Sequence, residues 1–197
     1  MKSPDTFTFD AARHEYRLDG AVVPSVTQIL RDVLPGWAGT EYDMALGTCC
    51  HARFAMLARG EEFEPDPQFD GYVAAWRKWA LECKVRVMHV EARVASVRLQ
   101  FAGTLDLVAE VSGVVSVCDY KATLTPATEH QVAAYALALL ESRGLVVNYG
   151  AGVELRADGT YKMQTWPLKR AKEEWKSILT VYGLRRKCGV KENHERN

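Results

Sequence analysis

Two acids and a lysine stand where a sheet normally keeps apolar residues. In "GTLDLVAEVSGVVSVCDYKAT", residues 103–123, Asp106 and Asp119 each interrupt an apolar run, and Lys121 follows the second acid by two positions. Side chains alternate along a strand, so Asp119 and Lys121 share a face and Tyr120 takes the other. If the two runs pair as a hairpin, Asp106 comes to lie near Asp119. Two carboxylates ~4 Å apart repel by roughly 4 kcal/mol at an effective dielectric of about 20. One ammonium relieves part of that repulsion. A divalent cation relieves more, and an oxygen-rich site suits Mg²⁺ or Mn²⁺. The plain alternative is an ion pair between Lys121 and either aspartate at a strand end.

The elements around these residues follow from periodicity and turn chemistry. Phe7 and Phe9, then Tyr16 and Leu18, alternate as an N-terminal hairpin, and "LDG" adds a second turn. Ser25, with Gln28 three positions on, predicts the capped start of a helix. A second helix is expected over 41–58, stopped by Gly60. After the acidic linker "EEFEPDPQFDG", a third carries Tyr72, Ala75, Trp76 and Trp79 on one face. The period then becomes alternating. Strands are expected over 85–96, 101–111 and 114–122, the last two joined at Ser112-Gly113. A helix over 128–142, strands over 145–155 and 160–168, and a last amphipathic helix over 168–186 complete the chain. The order β-β-β-α-β sets the two aspartate-bearing strands side by side in the centre of a mixed sheet.

The 197 residues suffice for one domain with a proper core. We expect an N-terminal hairpin and helical lobe over about 1–83 and a core over about 84–187. Net charge is zero, so overall charge gives no argument for nucleic acid. Residues 1–70 hold twelve acids and six bases, whereas residues 167–197 hold nine bases and four acids. The basic end suits a phosphate backbone or a solvated helix face equally. No apolar run approaches the ~20 residues that span a bilayer. The five cysteines form no CxxC. Free thiols in a reducing cytoplasm, with no membrane contact, are the expectation.

The acids belong to an ordered series. His51 comes first, in "GTCCHARF". Glu91 follows in "HVEARV", then Gly103 to Asp106 as GxxD, Asp119 to Lys121 as DxK, and Gln131 with Tyr135 as QxxxY. The set resembles the PD-(D/E)XK nuclease superfamily, and more narrowly its RecB-type exonuclease branch, which includes phage-encoded and CRISPR-associated RecB-like nucleases. "VPSVTQIL" also fits phage-type members. The resemblance covers about residues 20–140 by motif and the remainder by element order.

That resemblance implies a restriction-endonuclease-like α/β (α+β) core, a central mixed sheet flanked by helices. It implies metal-dependent hydrolysis of DNA phosphodiesters in phage or bacterial recombination, repair or DNA processing. Asp106, Asp119, the Tyr120 carbonyl and His51 would hold Mg²⁺ or Mn²⁺. Lys121 would orient the water and steady the transition state. Glu91 would be a third acid or the partner of a nearby arginine, and Gln131 and Tyr135 would face the site and the DNA. Partners implied are DNA and, since some relatives close into rings, a homo-oligomer or a recombination partner protein.

The chain departs from the family in having Ala122 where threonine commonly follows the lysine. Only Cys188 lies beyond Lys121, so the four-cysteine iron–sulfur layout of some relatives is missing. Two competing readings remain, a nuclease-fold DNA-binding or assembly module without activity, and an unrelated α/β domain whose acids are ion pairs. Gly103 marks a close backbone approach by a helix or a nucleotide. Trp37 is a loop anchor or a base-stacking platform. Ser25 and Thr27 are capping residues next to a groove.

Overall fold

The computed structural model describes residues 6–34 and 41–189. Trp37 lies outside the described residues. A small antiparallel sheet opens the chain, β1 (Phe7–Asp10), β2 (Glu15–Leu18) and β3 (Ala21–Val23) in that order. Helix α1 (Val26–Val33) starts at the expected capping box. Gln28 N donates to Ser25 Oγ at 3.1 Å, and Ser25 N donates back to Gln28 Oε1 at 2.8 Å. Helices α2 (Glu41–Arg59) and α3 (Asp70–Glu82) follow.

The main sheet has five strands in the order β4 (Arg86–Ser96), β5 (Phe101–Val111), β6 (Val114–Lys121), β7 (Tyr149–Leu155) and β8 (Tyr161–Pro167). Only β6 and β7 run parallel, because α4 (Pro126–Arg143) carries the chain back between them. Helix α5 (Lys169–Lys187) closes the fold. The β5–β6 turn has positive φ at both Ser112 (50°) and Gly113 (86°), which a two-residue hairpin turn requires.

Two boundaries differ from the sequence expectation by more than one residue. Helix α4 starts two residues early, because Pro126 takes its first position and Thr125 N donates to Thr128 Oγ1 at 3.2 Å. Strand β7 starts at Tyr149, so residues 145–148 are a connection. There Val147 O accepts from Lys172 Nζ (2.7 Å) and Asn148 O from Leu168 N (2.8 Å). These carbonyls find partners in α5 and the turn before it rather than in a ladder.

Helices cover both sides of the sheet. Helices α1, α4 and α5 pack with Val94, Phe101, Leu105, Val108 and Val117. Helices α2 and α3 pack with Leu107, Ala109, Val111, Cys118 and Tyr120. Residues two apart on a strand should share a face. Yet Ala92 and Leu105 belong to the first cluster, while Val90 and Leu107 belong with the second. Between them Glu91 sits in the left-handed region, at φ 49°. The β4–β5 ribbon turns over here, at Glu91 on β4 and at the facing Asp106 on β5. Beyond it Ala95 and Ala102 pack with Tyr16, Leu18 and Val23 of the N-terminal sheet.

Candidate active site

The central sheet forks where the acids lie. The β5–β6 ladder ends at Leu107↔Cys118. Past that pair, β5 continues beside β4, with one parallel bridge from Ala102 to Ser25, and β6 beside β7 alone. Tyr120 N therefore has no β5 carbonyl to pair with, and Asp106 Oδ2 takes its place as acceptor at 2.8 Å. An acid in an apolar run is thus explained, since its carboxylate fills the gap that the missing ladder leaves.

The other oxygen, Asp106 Oδ1, meets His51 Nδ1 of α2 at 3.1 Å. The Asp106 carboxylate raises the His51 pKa above its ordinary value, against the effect of burial. Burial alone would raise Asp106, but His51, Lys121 and the Tyr120 amide together pull it below the usual carboxylate range. Asp119 is only 2 % exposed. Burial raises its pKa to about 6, with the Asp106 charge adding to the rise and Lys121 opposing it. Lys121 Nζ lies 2.8 Å from Asp119 Oδ2. The approach is off the directions of a hydrogen bond, so this buried oxygen has a cation beside it and no hydrogen bond. Burial disfavours the Lys121 charge, yet the two aspartates outweigh it and hold the ammonium protonated.

The structure thus brings His51, Asp106, Asp119 and Lys121 together. The Tyr120 ring takes the face of β6 opposite Asp119 and Lys121, where it meets the His51 ring at 6.0 Å and a nest of Phe54, Trp76 and Trp79, with Trp76 Nε1 donating to its hydroxyl at 3.0 Å. Gln131 and Tyr135 are buried on α4, and burial pushes the Tyr135 phenol well above its ordinary pKa, with the Asp119 and Asp106 charges adding to the rise and Gln131 opposing it. Glu91 lies at the register position opposite Asp106 on β4. It is exposed and pairs with no arginine among the described residues. Thr27 Oγ1 and Ser25 Oγ lie 3.0 Å apart at the start of α1.

Among the described residues, no three or more His, Cys, Asp and Glu side chains stand ready to hold a metal ion. The reason is local. Asp106 is engaged by His51 and Tyr120, and Asp119 by Lys121. The donor set nevertheless fits a hard dication. The Asp106 charge acts on Asp119, an imidazole adjoins Asp106, and a buried oxygen of Asp119 lacks a hydrogen bond.

The sequence reading passed over two contributors. Thr104 Oγ1 is hydrogen-bonded to the Tyr16 hydroxyl at 2.9 Å, which ties the N-terminal sheet to β5 two residues from Asp106. Glu154, an acid within the apolar "GAGVEL", pairs in register with Lys121. The same sign that marked Asp106 marks it. Its carboxylate, however, is taken by Arg156 at 2.7 and 2.9 Å.

Gly103 is the close approach that its place in a strand predicts, and a helix fills the space. A Cβ there would come 2.7 Å from Tyr135 Cε1. We expect Gly103→Ala to push the Tyr135 ring aside and to lower stability by about 1–3 kcal/mol. Thermal melting checks this. The loss should shrink in a Tyr135→Ala background, because the two positions couple through the clash.

A family model described as the PD-(D/E)XK nuclease superfamily matches residues 52–182. The matched stretch is well over half of the chain, starts one residue after His51, and contains Glu91, Asp106, Asp119, Lys121, Gln131 and Tyr135. The chain belongs to the PD-(D/E)XK nuclease superfamily. Among solved structures it is similar to the alkaline exonuclease LHK-Exo of Laribacter hongkongensis, at 12% identity over 84% of this chain and 88% of that one, with a TM-score of 0.45. The same enzyme in complex with dAMP matches at 12% identity over 85% and 93%, with a TM-score of 0.41. Superpositions this loose carry no functional weight. No curated protein matches the sequence. Among the described residues, no helix is long and apolar enough to cross a membrane.

Proposed function

We propose that the chain is a metal-dependent DNA exonuclease that hydrolyses phosphodiester bonds in phage or bacterial DNA recombination, repair or processing. The observation that carries this reading is the convergence of His51, Asp106, Asp119 and Lys121 at the fork of the sheet.

Asp106, Asp119, the Tyr120 carbonyl and His51 would hold Mg²⁺ or Mn²⁺. When bound, the cation would neutralise charge on the scissile phosphate and lower the pKa of a water. Lys121, kept protonated by its neighbours, directs N–H bonds at the attacking water and at the charge that builds on phosphorus oxygens. Tyr120 anchors β6 by its ring in the α2–α3 nest, so Asp119 and Lys121 are fixed on the other face. Gln131 and Tyr135 wall the pocket from α4 and meet the substrate strand. Glu91, strained and opposite Asp106, supplies a third acid at the rim.

End-labelled linear DNA, single- and double-stranded, tests this with Mg²⁺ or Mn²⁺ and then with chelator. Stepwise shortening that stops in chelator is expected. Binding without cleavage would instead favour the inactive DNA-binding module, and cutting of circular DNA would make the enzyme an endonuclease.

The metal-free protein has its own pH signature. Asp119 has a folded pKa, about 6, above its ordinary 3.8. Its contribution to stability is full below 3.8 and is lost as pH rises through 6. His51 is also raised, so its contribution is full below 6.5 and is lost as pH rises through its elevated folded value. Both signs agree. In chelator the melting temperature should fall between pH 5 and pH 8, and Asp119→Asn should flatten the fall. A flat wild-type profile would contradict the raised values.

A further inference from the structure

The N-terminal sheet is mounted beside the acidic centre in a way that catalysis at the fork does not require. Arg93 on β4 pairs in register with Thr104 on β5, so the two share a face. Thr104 Oγ1 meets the Tyr16 hydroxyl of β2. The Tyr16 ring lies 4.7 Å from Phe9, and the edge of His14 lies 5.3 Å from the same phenyl. The Arg93 guanidinium closes the loop, 4.6 Å above the Phe9 centroid. Both Arg93 and Glu91 are near enough for their charges to act on the Tyr16 hydroxyl.

The charges here sort into engaged and free. Arg17 is paired with Glu15 at 2.9 Å. Asp10 accepts from the amides of Ala12 and Arg13. Arg93 is exposed and forms no ion pair among the described residues. Stacking on a phenyl ring holds a guanidinium by its face and leaves its N–H fork open. Its level on the sheet is one two-residue step from Asp106, roughly 7 Å along the strand. A fork laid on a ring and free of ion pairs, one step along the strand from the level of Asp106, suits a phosphate of the same polyanion.

We infer that Arg93, laid on Phe9 of the N-terminal sheet, binds a backbone phosphate neighbouring the scissile one, and that this sheet forms a wall of the substrate groove. The inference rests on the nuclease reading and adds to it a strand-binding residue outside the motif series. Arg93 is a binding residue and takes no part in the reaction itself.

The test compares wild type, Arg93→Ala and Arg93→Lys on two probes. A fluorescein-labelled single-stranded oligonucleotide is titrated by anisotropy with Ca²⁺ in place of Mg²⁺, over a range of salt. Thymidine 5′-(p-nitrophenyl phosphate), too short to reach Arg93, reports hydrolysis with Mg²⁺ or Mn²⁺. Arg93→Ala should bind the oligonucleotide about tenfold more weakly at low salt. Its slope of log affinity against log salt should be shallower by about 0.7, one phosphate contact on a single strand. Ester hydrolysis should stay within about twofold of wild type, and Arg93→Lys should keep the salt slope. Unchanged affinity and slope in Arg93→Ala would overturn the inference. So would a parallel loss of ester hydrolysis, or a wild type that cleaves the ester without binding the oligonucleotide. A wild type inert toward both probes would instead overturn the nuclease reading.

Discussion

Lys121→Ala protein is expected to fold and to cleave DNA roughly a hundred- to a thousandfold more slowly than wild type. The size follows from removing one preorganised charge aimed at a developing oxyanion. In the proposed mechanism the lysine serves that role with Asp119 Oδ2 at 2.8 Å and two carboxylates keeping it charged against the effect of burial. Its removal does not strand a buried charge for long. Asp119 already has a pKa near 6, and without the ammonium it takes up a proton instead of disrupting the core. Melting should therefore change little while initial rates on end-labelled DNA collapse. A variant retaining rates within about tenfold of wild type would reduce Lys121 to the counter-ion of Asp119, which is the plain ion-pair reading of DxK.

A stability loss as large as that of Gly103→Ala is expected far from the acids, at Gly71. This residue is the second of α3, and a methyl group on it would run into the backbone carbonyl of Ala157, in the turn between β7 and β8. A backbone carbonyl in a tight turn cannot rotate aside as a long side chain can. We expect Gly71→Ala to cost about 3 kcal/mol in overpacking, offset by up to about 1 kcal/mol of helix propensity. The net loss of about 2 kcal/mol corresponds to a fall of roughly 4–8 °C in Tm for a chain of this length. Differential scanning calorimetry checks this, and a fall below about 2 °C would mean that α3 and the turn separate freely. Activity per folded molecule at low temperature should be retained, since Gly71 is not among the residues gathered around Asp106 and Asp119.

What was legible in the sequence was local or periodic. Ser25 and Gln28 announced their helix because a capping box is a three-residue chemistry. The Ser112–Gly113 turn announced the hairpin because both residues must take positive φ. The proximity of His51, Asp106, Asp119 and Lys121 was legible through the order of the series. The fork was not legible. Alternation assumes an unbroken ladder, and nothing in "GTLDLVAEV" signals that pairing stops at Leu107. Nor could spacing show that His51, 55 residues from Asp106, would meet it through Nδ1 rather than stand equally between both acids. Tyr16 and Thr104 were missed because a hydroxyl pair across 88 residues leaves no local trace. Glu154 carried the right sign and a different partner, for Arg156 two positions on satisfies it.

The left-handed turn of Glu91 sets a phase for everything upstream of it on β4. Asparagine or glycine there would adopt the same backbone, so the side chain is replaceable as far as the architecture is concerned. The count of residues is not. Deleting Glu91 would keep Val90 and Ala92 on opposite faces but slip residues 86–90 by one position against β5, setting Val90 opposite Asp106 in place of Leu107. At this solvent-exposed spot, insertions and deletions are therefore far more harmful than exchanges, which inverts the usual tolerance of a surface position.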